Sequence, residues 1–140
     1  MAVNSFRLLE HTADMGIEAQ GESLAALFRQ AALGLRQIMT PCSDIQSRQE
    51  IRVEVRAHDR EELLVNWLTE LLYLLETRQL LPAEFAIETI SACRLQARVG
   101  GEVLDAERHV LEREVKAVTY HQIRVEQVAG GWRAQVFVDI

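Results

Sequence analysis

Lysine, cysteine, proline and net positive charge are all scarce in this chain of 140 residues. The two cysteines, Cys42 and Cys93, lie far apart with no CxxC spacing. That excludes a zinc knuckle and a thioredoxin-type pair, and reduced thiols in a cytosolic protein are the simplest reading. Basic residues number 15 against 21 acidic ones, for a formal charge of -6. Such a balance argues against a protein that holds nucleic acid by laying a basic surface along phosphates. No apolar run reaches membrane length, and the first residues lack a basic segment followed by an apolar core and a cleavage site. A soluble, unexported cytoplasmic protein with no membrane contact is expected. There is no GxxxxGK[ST] motif, and the glycine pairs sit in strand turns with no helix following, so a nucleotide site finds no support. Four histidines, at 11, 58, 109 and 121, show no i, i+4 pairing and no supporting cysteine, which leaves a zinc site weakly founded. His58, beside a helix cap, is expected in solvent. No nucleophile stands beside a base: Ser23 reads better as a cap, and Cys93 falls at or near the start of a strand. Lys116 is the single lysine among arginines. A compositional bias of the source explains the arginines and makes the exception worth following.

What the chain does contain reads as one domain over residues 1–140, long enough to bury roughly two-thirds of its unfolded surface. Residues 5 to 10 suggest a short strand leading into a turn at His11. From Asp14 the alternation places Met15, Ile17 and Ala19 on one face and Asp14, Gly16 and Glu18 on the other. Gly21 makes a turn and Ser23 stands at an N-cap before Leu24, Leu27, Phe28, Ala31, Leu35 and Ile38 at helical spacing. Gly34 inside this helix costs about 1 kcal/mol relative to alanine, which points either to close packing or to an imperfect helix. Pro41 stops the helix. A strand over 51 to 57 follows, then Asp59 and Glu62 in a capping pattern. The helix they open is too apolar to lie half in water, so it is a central core element or a contact surface. Pro82 is expected to end that unit, and Gly100-Gly101 to break the strand that follows. Residues 102 to 109 read as irregular, with a further strand over 111 to 120. Gly130-Gly131 turns a final hairpin whose returning strand puts Trp132, Ala134, Val136 and Val138 on the core face. Strand, helix, strand, helix and a run of strands predict an α+β fold with two helices packed on a mainly antiparallel sheet in a single compact domain.

The chemistry worth testing lies at the two ends of the chain. Asp14, Asp139 and the carboxylate of Ile140, with Glu18 nearby, would form a hard-oxygen cluster if the ends meet, suited to magnesium, manganese or calcium. The competing reading makes Asp14 a turn former and Asp139 a solvated strand end. Lys116 either balances carboxylates or meets a phosphate, or pairs with Glu112 or Glu114 on a wet face. His11 and His121 sit beside polar strand ends.

Five blocks carry a resemblance: HTADMGIEAQGESLAALF at 11 to 28, EELLVNWLTELLYLLE at 61 to 76, LDAERH at 104 to 109, EVKAVTYH at 114 to 121 and GGWRAQVFVDI at 130 to 140. In this order and spacing they resemble the signature blocks of the archease family. The resemblance implies a non-enzymatic activator of an RtcB-type RNA ligase in tRNA splicing and RNA repair. That ligase joins 3'-phosphate or 2',3'-cyclic-phosphate ends to 5'-hydroxyl ends, and the activator promotes its guanylylation by GTP and its multiple turnover. RNA would be contacted through the ligase. It also implies a divalent metal at Asp14, Asp139 and Ile140, with Lys116, and to a lesser degree His11, Glu18 and His121, serving the partner's active site. Met15 replaces a usual isoleucine, Thr69 an asparagine, Ala106 a proline and Arg36 an aromatic. The alternatives are a general chaperone or modulator of RNA-modifying enzymes, or a stand-alone metal-dependent phosphohydrolase.

Overall fold

The computed structural model describes residues 3–10, 13–41 and 44–140. In chain order these form β1 (Ser5–Glu10), β2 (Asp14–Gly21), α1 (Leu24–Met39), β3 (Gln49–Arg56), α2 (Arg60–Arg78), β4 (Leu80–Ile90), β5 (Arg94–Val103), β6 (Ala117–Val118), β7 (Arg124–Val128) and β8 (Gly131–Asp139). The fold is α+β, with two helices on antiparallel strands. The strands divide into two sheets rather than one. The larger runs β1-β2-β8, and the far edge of β8 is shared by β7 along its first half and β6 at its end; the smaller runs β3-β5-β4.

Helix α1 begins where Ser23 accepts the Ala26 amide on Oγ at 3.1 Å. Its apolar stripe, Leu27, Phe28, Ala31, Leu35 and Ile38, is buried, chiefly against β2, with β1, β4 and β8 also in contact. Gly34 is there because packing is close. A Cβ on it would lie 2.7 Å from Ile17 Cγ2, nearer than real side chains approach, and a tight 3.3 Å from the Phe6 ring. Helix α2 opens on Asp59, whose carboxylate accepts the Glu62 amide at 2.8 Å. The reciprocal Glu62 carboxylate reaches one residue further back than a standard capping box, to the His58 amide at 2.8 Å. Its unusual apolar perimeter is explained by its neighbours: α2 touches α1, all three strands of the smaller sheet, and both β6 and β7. At its centre Trp67 is fully buried, donates its indole N–H to the Phe28 carbonyl at 3.0 Å, and meets Phe85 edge-on.

Three expectations are corrected. Pro82 does not end the second helix. Gln79 does, in a left-handed conformation (φ 53°) with its amide bonded back to Leu74 O. Pro82 lies inside β4, an edge strand, at a register irregularity where its missing N–H costs no ladder bond. Gly100-Gly101 does not break a strand either: β5 runs through both as the middle strand of its sheet. Their role is clearance, since a Cβ on Gly101 would sit 2.1 Å from Leu81 O. The strand expected over 111 to 120 shrinks to Ala117–Val118. Upstream of it, backbone donors go to other elements, Glu112 to Met39 O at 2.7 Å and Lys116 to Asp139 O at 2.8 Å.

Candidate metal centre

Strand β2 begins at Asp14 and β8 ends at Asp139, and the antiparallel register pairs these two residues directly. Opposed residues project to the same face with Cβ atoms roughly 5 Å apart. That face is the one away from the helices, because Met15, Ile17, Ala19, Ala134, Val136 and Val138 are buried on the other. Asp14 is half-buried and Asp139 exposed. Among the described residues neither carboxylate has a cation within 4 Å or a side-chain hydrogen bond. Like charges directly opposed on a strand pair destabilise it, so the arrangement stands at a cost that a bound cation would remove.

Lys116 and Ile140 are brought to the same end. Ala117 pairs with Asp139, Lys116 N–H donates to Asp139 O, and Ile140 follows directly. Lys116 is exposed, and among the described residues no carboxylate lies within 4 Å of its ammonium. The alternative pairing with Glu112 or Glu114 is therefore not formed. Lys116 also closes one end of a cavity of about 460 Å³ walled by Leu72, Leu75, Leu111 and Val115. These α2 leucines are half-buried, packed against the edge of the core.

Of the other candidates, His121 comes close. Its ring meets Phe137 edge-on at 5.5 Å, and Phe137 is two residues from Asp139 on the same face. The Phe137 ring lies over Gly16, where a Cβ would be 2.8 Å from Cε1. Glu18 is not brought to the pair. It binds Arg7 at 2.7 Å, four residues and roughly 13 Å along the strand from Asp14. His11 lies outside the described residues. His58 is 94% exposed as expected, bonded to Glu62. No group of three or more His, Cys, Asp or Glu side chains capable of holding a metal forms among the described residues. The donor set is thus two side-chain carboxylates, an exposed strand end and whatever the chain beyond Asp139 adds. It fits magnesium or manganese, which are held by one or two carboxylates with water and phosphate oxygens completing the shell.

Residue-by-residue reading of the sequence missed a second polar cluster. Glu102 and His109 are 3% exposed each. Glu102 Oε2 accepts the Gln46 amide at 2.6 Å and faces His109 Nε2 at 3.2 Å. Its Oε1 takes Arg108, with Arg48 at 3.3 Å. His109 Nδ1 accepts the Asp105 amide at 2.8 Å, so the proton sits on Nε2 and is donated to Glu102. The Gln46 amide first, then His109 and Arg108, hold the Glu102 carboxyl down at about 2 against the opposing effect of burial. The ordinary value is 4.5. A lowered folded-state value contributes stability that is complete above about pH 4.5 and is lost as pH falls towards 2. Urea titrations between those limits should therefore show a steeper loss of stability for the native protein than for Glu102→Gln; parallel curves would remove Glu102 from the acid response. Only the block LDAERH hinted at this cluster, because a buried Glu and His leave no mark on hydrophobic periodicity.

The molecule is a small α+β domain that opposes Asp14 and Asp139 at one strand end, next to its only lysine. Residues 6–140 match the model of the Archease protein family (MTH1598/TM1083), and the chain belongs to the archease family. It is 40% identical over 139 residues to protein archease of Methanosarcina mazei, covering 96% of this chain and 95% of that one. To protein archease of Thermococcus gammatolerans it is 39% identical over 135 residues, covering 94% and 95%. The solution structure of Methanobacterium thermoautotrophicum protein 1598 superimposes with a TM-score of 0.83 at 34% identity, covering 97% and 99%. A Thermotoga maritima archease, described as a possible chaperone, shares the fold with a TM-score of 0.66 at 17% identity, covering 96% of each chain.

Proposed function

We propose that this protein is an accessory factor of an RtcB-type RNA ligase, which promotes GTP-dependent guanylylation of the ligase and its multiple turnover in tRNA splicing and RNA repair. The supporting observation is the register of Asp14 against Asp139, which among the described residues have no counter-cation, beside a Lys116 that has no carboxylate partner among them. Asp14, Asp139 and, as the family resemblance implies, Ile140 would hold a divalent cation, magnesium, manganese or calcium. When bound, that cation would supply positive charge to phosphate oxygens. Lys116 acts at the same place as a mobile ammonium, offsetting charge on a phosphate brought by the partner. Beside the pair the Phe137 ring lies over Gly16, and His121 meets that ring edge-on. The bond-forming chemistry stays on the ligase in this reading, and RNA is reached through it, in keeping with a net charge of -6. The cytoplasm is the compartment it implies.

The test is multiple-turnover RNA ligation with limiting ligase, GTP and manganese or magnesium, with no addition, with this protein, and with Asp139→Ala. The native protein should restore turnover and Asp139→Ala should not, by a factor of roughly a hundred, the scale on which charged groups at phosphoryl-type transition states act. Equal stimulation by both retires the site and keeps the activator. A readout without ligase accompanies it: cation at a hundred times its Kd should stabilise the native fold by about 2.7 kcal/mol and Asp139→Ala by nothing. Suppression of aggregation in unrelated clients, without ligase stimulation, would favour the chaperone alternative. Phosphoester turnover by the protein alone would favour the hydrolase.

A further inference from the structure

The segment that delivers Lys116 has almost no regular structure. Between β5 and β6, residues 104–116 run as a strap across the end of the molecule. Its ties to other elements include Leu104 N–H to Gln79 O at 2.7 Å, Glu112 N–H to Met39 O at 2.7 Å and Lys116 N–H to Asp139 O at 2.8 Å, and Arg113 reaches Glu10 at 3.3 Å. Apolar burial does not hold its crest, since Val110 is 65% and Leu111 44% exposed. Its one buried side-chain anchor is His109, and both ring nitrogens are engaged. Nδ1 closes the turn on the Asp105 amide, while the His109 amide returns to Asp105 O at 2.7 Å. Nε2 fastens that turn to Glu102 on β5. Arg108 joins the same carboxylate and also meets Asp105.

We propose that the Glu102–His109 pair is a clasp that positions the 104–116 strap, and through it sets Lys116 beside Asp14 and Asp139. What Lys116 does there rests on the reading under Proposed function; how it is held there does not. Beside single backbone bonds, the Arg113–Glu10 pair and the half-buried Val115, the clasp is the strap's one fully buried polar anchor. Local opening of such a segment is governed by its few buried ties. His109 is therefore a positioning residue, acting on Lys116 from the far end of the strap.

Two substitutions each remove half of the clasp without emptying the site. His109→Gln places an amide N–H near the Nε2 position and keeps the donor to Glu102, but offers nothing to the Asp105 amide. His109→Asn places a carbonyl near Nδ1 and keeps that acceptor, but no longer reaches Glu102. Amide exchange of the free protein is the first readout, because the Glu112 and Lys116 amides are themselves strap ties. Both variants should exchange these two amides about tenfold faster or more, with Ile17 and Val136 in the sheet within about twofold of native. Unchanged exchange at Glu112 and Lys116 overturns the clasp. So does a uniform rise that includes Ile17 and Val136, which would mark His109 as merely structural. The second readout is ligation: both variants should lower maximal stimulation while leaving the half-stimulating concentration within about twofold, since the strap is displaced but the rest of the surface is intact. Full stimulation despite faster local exchange keeps the clasp and overturns the role given to Lys116. Failure of the ligase reading shows instead as no stimulation by the native protein, and the exchange experiment still decides the clasp.

Discussion

Replacing Trp67 with alanine should remove about 4 kcal/mol of stability, the usual scale for a large aromatic truncated in a core. For a domain whose total stability is roughly 5 to 15 kcal/mol, that is a large share of it. The reason is position. Trp67 is fully buried on α2, bonded to the Phe28 carbonyl of α1 and edge-on to Phe85 of β4. One side chain thereby joins both helices and the smaller sheet, and truncation leaves a cavity that three separate elements would have to collapse to fill. Trp67→Phe separates the two contributions. It keeps most of the ring volume and loses the indole N–H, so it should cost less than half as much. Urea denaturation followed by far-UV circular dichroism measures both. A loss below about 1 kcal/mol for Trp67→Ala would mean that Trp67 is not central to the core.

Gly101→Ala should cost about 3 kcal/mol or more, at or beyond the upper end of ordinary overpacking. Its Cβ would lie 2.1 Å from Leu81 O, 3.0 Å from Leu81 C and 3.2 Å from Pro82 Cα. These are backbone atoms of the paired strand, with no rotamer to turn away, so β4 and β5 must part locally. The neighbouring glycine is the control. On Gly100 a Cβ would meet Ser47 Oγ at 2.2 Å, with the next atoms at 3.4 Å and beyond. A hydroxyl on a rotatable side chain can yield, and Gly100→Ala should cost about 1 kcal/mol. Equal midpoints in urea for the two variants would refute the close backbone approach. Because Gly101 precedes Glu102 in β5, parting the strands there also displaces the carboxylate on which the strap closes.

These two predictions concern the platform, and the candidate site depends on it. Asp14 and Asp139 oppose each other only while β2 and β8 keep their register. A slip of one residue in either strand would turn that strand's aspartate to the helix side and bring its buried neighbour, Met15 or Val138, out. The buried row on that side therefore selects the arrangement of the carboxylates on the other.

Much of this was legible from the residues alone. The alternation in β2 and β8, the caps at Ser23 and Asp59, the apolar girth of α2 and the Gly130 turn are properties of short stretches. Their periods of 2 and 3.6 residues are local consequences of backbone geometry, and the family blocks were equally visible. What the chain did not disclose is what its segments meet. That Asp14 faces Asp139, that Gly34 and Gly101 are held clear for Ile17 and Leu81, and that Pro82 sits in an edge strand were settled by pairing between distant segments. Arg36 reaches across to the Ala83 carbonyl at 2.6 Å, and burial lowers its pKa. Glu102 and His109 read as loop polarity until the strap folds over them. The division is physical: a strand's period is set by its own dihedrals, whereas its register and its buried polar partners are set by which other surface covers it. That choice is made only when the whole core closes.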